Sequence, residues 1–136
     1  MPTSRLATHH ARSVLPASVS HEDAAANVAR TAVLVEALRA RPDLLLAGTD
    51  DRLHQRQRAA AMPATLGLVH ALRAQGAAAV VSGAGPTVLV LTTTDRLDAD
   101  RAVAQRAVAG AEGDWRLLHL AVHRQGVVRV ADPPTR

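Results

Sequence analysis

Ala79-Val-Val-Ser-Gly-Ala-Gly-Pro-Thr-Val-Leu-Val-Leu91 is a glycine-rich loop set between two apolar runs. The loop is Ser82 to Thr87. Two glycines in a tight strand-to-strand turn let backbone approach backbone, or a ligand, with no Cβ in the way. Serine and threonine at its ends add hydroxyl groups. Residues 78–81 and 88–92 read as the strands on either side.

The remaining elements follow outward from this turn. Downstream, Thr94-Asp95 starts a helix that runs through Val108, and Gly110 to Asp114 is a loop. Residues 116–122 alternate apolar and polar as a strand. Gln125-Gly126 turns the chain into residues 127–130, and residues 132–136 are expected to fray. Upstream, Pro63 suits the first turn of a helix that ends at Ala74 before Gly76. Thr49-Asp50-Asp51 caps a helix expected to run to about Ala61, and Pro42 opens a short helical piece through Leu46. Ser20-His-Glu-Asp23 is a capping-box-like start, with Asp in place of Glu. The helix that follows, residues 24–40, repeats Val28, Ala32, Val35 and Leu38 on one side. Thr8 to Leu15 is a short helix stopped by Pro16, and residues 1–6 are extended.

This order approximates a ferredoxin-like βαββαβ unit with extra helices. The fold class is α+β, with an antiparallel sheet and helices packed on one face. The first strand is hard to place, because residues 1–6 are short and poorly apolar. The sheet is therefore expected to lack that strand.

The 136 residues fit a single domain, 1–136, large enough to bury a real core. With 48% apolar residues and Trp115 as the one aromatic, that core must be aliphatic. Cysteine is absent, which excludes disulfides and thiolate chemistry. The net charge of +4 is carried wholly by scattered arginines without stacking aromatics, so no nucleic-acid partner is expected. Neither an apolar leader nor a membrane-length run is visible, and the cytoplasm is the expected compartment.

Four groups of residues offer chemistry. Thr8 and Arg12 lie four apart on a short helix and share a face. Together they suit a substrate carboxylate, with Arg12 forking two oxygens; a solvated helix arginine is the plain alternative. Asp51, His54 and Arg58, spaced three and four, would share a helical face. That row fits either a surface salt-bridge ladder or one wall of a site. Asp23 has a structural explanation as a cap, whereas Asn27, beside apolar Ala24 and Val28, is a candidate. The loop Ser82, Gly83, Ala84, Gly85, Pro86 and Thr87 is not a Walker loop, since the chain has no lysine at all. The histidines lack metal-site spacing, and no metal is expected here.

The stretch 79–91 resembles the third signature motif of the GHMP small-molecule kinases. Thr8-x-x-Ala11-Arg12, within Thr-x-x-Ala-Arg-x-x-Leu-Pro, and Asp51-Arg-Leu-His54-Gln-x-x-Arg58 narrow the resemblance to the homoserine kinases. It covers nearly all of residues 2 to 131. A complete enzyme of that kind would transfer the γ-phosphate of ATP to the hydroxyl of L-homoserine, feeding threonine synthesis, with ATP and Mg2+ bound. The family's Pro-x-x-x-Gly-Leu-Gly-Ser-Ser-Ala motif and magnesium carboxylate belong to an amino-terminal domain and are not in this sequence. The resemblance thus implies a carboxy-terminal, substrate-binding half that binds neither ATP nor Mg2+ alone and is inactive without its ATP-binding partner domain.

It also implies roles. Thr8, Arg12, Asn27, His54 and Arg58 would face the amino acid, and the 82–87 loop would lie by the active site. Exposed strand edges point to a homodimer. Two other readings stay open: another GHMP kinase, of mevalonate or shikimate type, or a non-catalytic ligand-binding or dimerisation module.

Overall fold

The computed structural model describes residues 1–2, 7–122 and 125–126. In chain order the elements are α1 (Thr8–Ser13), α2 (His21–Arg39), a 3-10 turn (Pro42–Leu44), α3 (Leu45–Gly48), a second 3-10 turn (Ala59–Ala61), α4 (Pro63–Ala74), β1 (Ala78–Val81), β2 (Val88–Leu91) and α5 (Leu97–Ala109). The class is α+β, with a two-stranded antiparallel sheet among the described residues.

Local chemistry explains several boundaries. The Ser20 hydroxyl accepts the Asp23 N–H at 3.0 Å and donates to the Asp23 carboxylate at 2.9 Å, so Ser20 caps α2 and Asp23 orients it. Pro63 opens α4, where a missing N–H costs nothing. Gly76 closes it with φ +82°, a left-handed exit.

The hairpin register pairs Ala78 with Leu91 and Val81 with Val88. Ser82 N–H donates to the Thr87 carbonyl at 2.7 Å, closing the loop. Alternation then turns Ala79 and Val81 main-chain groups away from β2. That outer edge is closed by side chains: Arg73 donates to the Ala79 carbonyl at 3.1 Å, and Val81 N–H donates to Gln55 Oε1 at 2.7 Å.

The core lies on α4, which buries Thr65, Leu66, Leu68, Val69 and Leu72. One sheet face, with Ala79, Val88 and Val90, packs with Leu68 and Leu72 of α4, Ala104 of α5 and Trp115. Those helices form the expected layer. At the Ala78–Leu91 end the opposite face is covered too, by Leu34, Ala37 and Leu45 of α2 and α3. Asp100, 6% exposed, accepts from Thr92 and Arg96, joining the end of β2 to α5.

Three expectations need correction. The helix expected over residues 49–61 does not form: α3 ends at Gly48, and turns run to a 3-10 turn at Ala59–Ala61. The Asp51 side chain takes the Gln55 N–H, which a helix would give to the Asp51 carbonyl, as well as those of Leu53 and His54.

In α2, the stripe expected to face the core is exposed instead, with Val28 at 72%, Val35 at 62% and Leu38 at 64%. The inward stripe contains Asn27, Leu34 and Ala37. Gly48 fixes this choice, because an ideal Cβ there would stand 2.8 Å from the Leu34 backbone. Only glycine allows α2 and α3 to cross so closely.

Residues 116–122 form no strand, although Trp115 makes one antiparallel bridge to Pro2. Leu117, Leu118, Leu120 and Val122 are exposed, so the alternation has no sheet neighbour to satisfy it. The expectations for residues 3–6, 127–130 and 132–136 fall outside the described residues.

Candidate functional site

A cavity of ≈ 300 Å³ is lined by Asp51, His54, Gln55, Arg58, Val80, Val81 and Gly83. Thus the Asp-His-Arg row and the glycine loop, distant in sequence, share one cavity. The row is built as a turn, and Asp51 is its organiser. Its carboxylate accepts Gln55 N–H at 2.6 Å, His54 N–H at 2.9 Å and Leu53 N–H at 3.2 Å. It also accepts the Asn27 amide at 3.1 Å and lies 3.2 Å from His54 Nδ1. Burial works to raise the Asp51 carboxyl, but the donors from Gln55, Asn27 and His54 outweigh it and hold it below the ordinary carboxylate range.

Arg58 is 8% exposed. Its Nε donates to the Ala11 carbonyl at 3.0 Å, and its Nη1 donates to the Gly83 carbonyl at 3.1 Å. One guanidinium therefore ties α1 to the glycine loop. Its Nη2 has no protein partner among the described residues. Thr8 and Arg12 lie on α1 and are exposed, one turn apart, while Ala11 between them is fully buried. Asn27 donates to Asp51 and accepts Arg52 N–H at 2.8 Å, so both ends of its amide are used in clipping α2 to the turn. His54 is exposed at the rim. Within the loop, Gly83 and Gly85 have φ of +58° and +86°, as a glycine-specific turn requires.

Three residues in this neighbourhood escaped the sequence reading. Gln55 holds Val81 and lines the cavity. Thr65 is buried and donates to the Pro86 carbonyl at 3.0 Å. Arg73 donates to the Leu46, Thr49 and Ala79 carbonyls, and burial lowers its pKa. A second cavity of ≈ 240 Å³, lined in part by Arg73, His70 and Asp50, shares Asp51 and Gln55 with the first. The only available signal was a polar residue inside or beside a helical repeat, which equally describes a solvated surface.

Among the described residues, no three His, Cys, Asp or Glu side chains group as a metal site. No helix among them is long and apolar enough to cross a membrane.

The site is thus a hairpin that packs one face on an α4–α5 layer, with Arg58 and Thr65 bound to its glycine loop. Residues 34–112 match the family model described as GHMP kinases C terminal. The chain belongs to the GHMP kinase family and carries its C-terminal domain.

Homoserine kinases are among its relatives within that family. The homoserine kinase of Clavibacter michiganensis is 52% identical over 135 residues, 97% of this chain and 42% of the relative. That of Streptomyces coelicolor is 51% identical over 126 residues, 93% of this chain and 38% of the relative. The crystal structure of homoserine kinase from Cytophaga hutchinsonii matches with a TM-score of 0.70 at 24% identity, over 80% of this chain and 35% of that one; it supports the fold. The chain spans about two fifths of the length of the curated relatives it matches.

Proposed function

We propose that this chain is the amino-acid-holding part of a homoserine kinase, an enzyme that moves the γ-phosphate of ATP to the L-homoserine hydroxyl in threonine biosynthesis. The observation that carries the reading is the cavity in which the Asp51–Arg58 turn meets the glycine loop. The name its relatives share supports L-homoserine as the substrate.

Among the described residues no cluster of three carboxylate or imidazole side chains supports a Mg2+ site, and the glycine loop offers nucleotide no phosphate cradle. The glycine loop joins strand to strand, so it lacks the helix N-terminus that a phosphate cradle uses. Both ligands are assigned to the rest of the protein, together with the ATP-binding domain that would partner this one.

The roles of this chain are binding and orientation. Arg12, with Thr8 one turn before it, is exposed and outside the cavity lining, and this reading assigns the pair to the substrate carboxylate. Arg58 offers the remaining Nη2 donors while its other nitrogens stay on the backbone. Phosphoryl-transfer catalysis rests on such positioning together with electrostatic stabilisation. The cytoplasm remains the proposed compartment.

Two measurements test this. L-homoserine, added to the purified chain in a titration followed by NMR, should shift the signals of residues 51–58 and 82–87. ATP turnover with L-homoserine should be absent. Turnover within tenfold of an ordinary kinase, about 1–100 per second, would overturn the division of labour. A chain blind to L-homoserine would favour a module that binds no amino acid.

A further inference from the structure

Four residues spaced three to four apart, Gln55, Arg58, Met62 and Thr65, meet the glycine loop in the same order along its length. Gln55 Oε1 accepts Val81 N–H at 2.7 Å, where the loop leaves β1. Arg58 Nη1 donates to the Gly83 carbonyl at 3.1 Å. Met62 Sδ would stand 2.6 Å from a Cβ built on Gly85, so the sulfur fills the space a side chain would need. Thr65 Oγ1 donates to the Pro86 carbonyl at 3.0 Å from a site 2% exposed.

The stripe crosses three kinds of backbone: the turn at residues 50–58, the 3-10 turn at Ala59–Ala61 and the first turn of α4. Its register on the loop survives both junctions. At its start it shares the wall of the cavity, since Gln55 and Arg58 line it and Gln55 N–H is held by Asp51.

We propose that Gln55 and Thr65 are positioning residues that fix the two ends of the glycine loop, through Val81 and Pro86, and so set the loop against the ligand cavity. The proposal rests on the amino-acid site described above for its functional consequence, but not for the clasp itself. Gln55 acts through its oxygen, because only an acceptor can meet Val81 N–H. A glutamate therefore keeps the clasp, while a leucine leaves the N–H without its partner. Thr65 acts through its hydroxyl, so serine keeps the clasp and isosteric valine removes it. Neither acts as a catalytic residue.

The test uses the whole chain and two readouts. Amide exchange is measured at the hydrogen-bonded amides of Val81, Ser82 and Gly85 for the parent, Gln55→Leu, Gln55→Glu, Thr65→Val and Thr65→Ser. Loss of one internal hydrogen bond should speed local exchange about fivefold to tenfold in the leucine and valine variants. The glutamate and serine variants should stay near the parent.

L-homoserine affinity is then compared for Thr65→Val and Thr65→Ser. Thr65 lies outside the cavity lining. A loss of about fivefold in the valine variant, restored by serine, shows that the clasp acts on the site. Unchanged exchange in Gln55→Leu and Thr65→Val would overturn the proposal, as would Gln55→Glu behaving like leucine. If the parent binds no L-homoserine, the substrate reading fails while exchange still decides the clasp.

Discussion

At the residue scale, two arginines of the proposed site differ in burial. Arg58 is buried with two donors on backbone carbonyls, whereas Arg12 is exposed. Arg58→Ala should therefore lower stability by about 1.5–3 kcal/mol, the scale of losing charged hydrogen bonds. Arg12→Ala should leave the urea midpoint within error yet weaken L-homoserine binding. Equal midpoints for both variants would contradict this division.

Asp51 gives a pH signature. Its folded carboxyl titrates below the usual value because the donors of the turn and Asn27 outweigh burial. Its contribution is thus fully present above the unfolded carboxylate pKa of about 3.9 and is lost as pH falls through the lower folded value. Asp51→Asn should remove that part of the acid slope and cost about 1–3 kcal/mol at neutral pH. Urea melts between pH 7 and pH 3 would show it, and parallel pH profiles for parent and variant would rule it out.

At the element scale, the glycines rank the loops. Gly85 combines φ +86° with Met62 beneath it, Gly83 has φ +58° with open space, and Ala84 needs neither. Stability and loop order should fall in the sequence Gly85→Val, then Gly83→Val, with Ala84→Val mildest. Thermal melts with the loop signals as a second readout will establish the order, and equal effects would reduce the loop to an ordinary turn. Gly48→Ala should separate α2 from α3, since its Cβ would meet the Leu34 backbone at 2.8 Å.

The elements legible in advance were those with local punctuation. Pro63 and Gly76 bracket α4, Ser20 with Asp23 opens α2, and the glycine loop separates β1 from β2. What could not be read depended on distant partners. The inward face of α2 is chosen by Gly48 on another helix, and Val28, Val35 and Leu38 make an equally good stripe on periodicity alone. Asp51 takes the Gln55 N–H that a helix would give to its own carbonyl, and no helix forms where the spacing looked sound. The loop and the arginine row stood out as candidates, but Gln55 and Thr65 act through backbone atoms of residues far along the chain, which no spacing rule encodes.

At the scale of the whole molecule, the two sheet edges differ. The outer edge of β1 is closed by Gln55 and Arg73. The outer edge of β2, at Val88 and Val90, has no strand neighbour among the described residues. Leu89 at 43%, Leu120 at 78% and Val122 at 90% exposure lie on β2 and on the run that was expected to be a strand. An edge with apolar flanks recruits another strand, either from the rest of the same protein or from another copy. The chain alone should therefore self-associate as its concentration rises, with Leu89→Lys and Leu120→Lys together shifting it toward monomer. Fusing a designed β-strand segment to the amino end, able to pair with β2, should do the same and raise the melting temperature as well. The two interventions distinguish causes: lysines only block association, whereas a paired strand also stabilises the fold by completing main-chain hydrogen bonds. Sedimentation velocity across a hundredfold concentration range, with melts of all three proteins, decides the matter. A parent chain that stays monomeric and melts with the extended one would mean that β2 needs no neighbour.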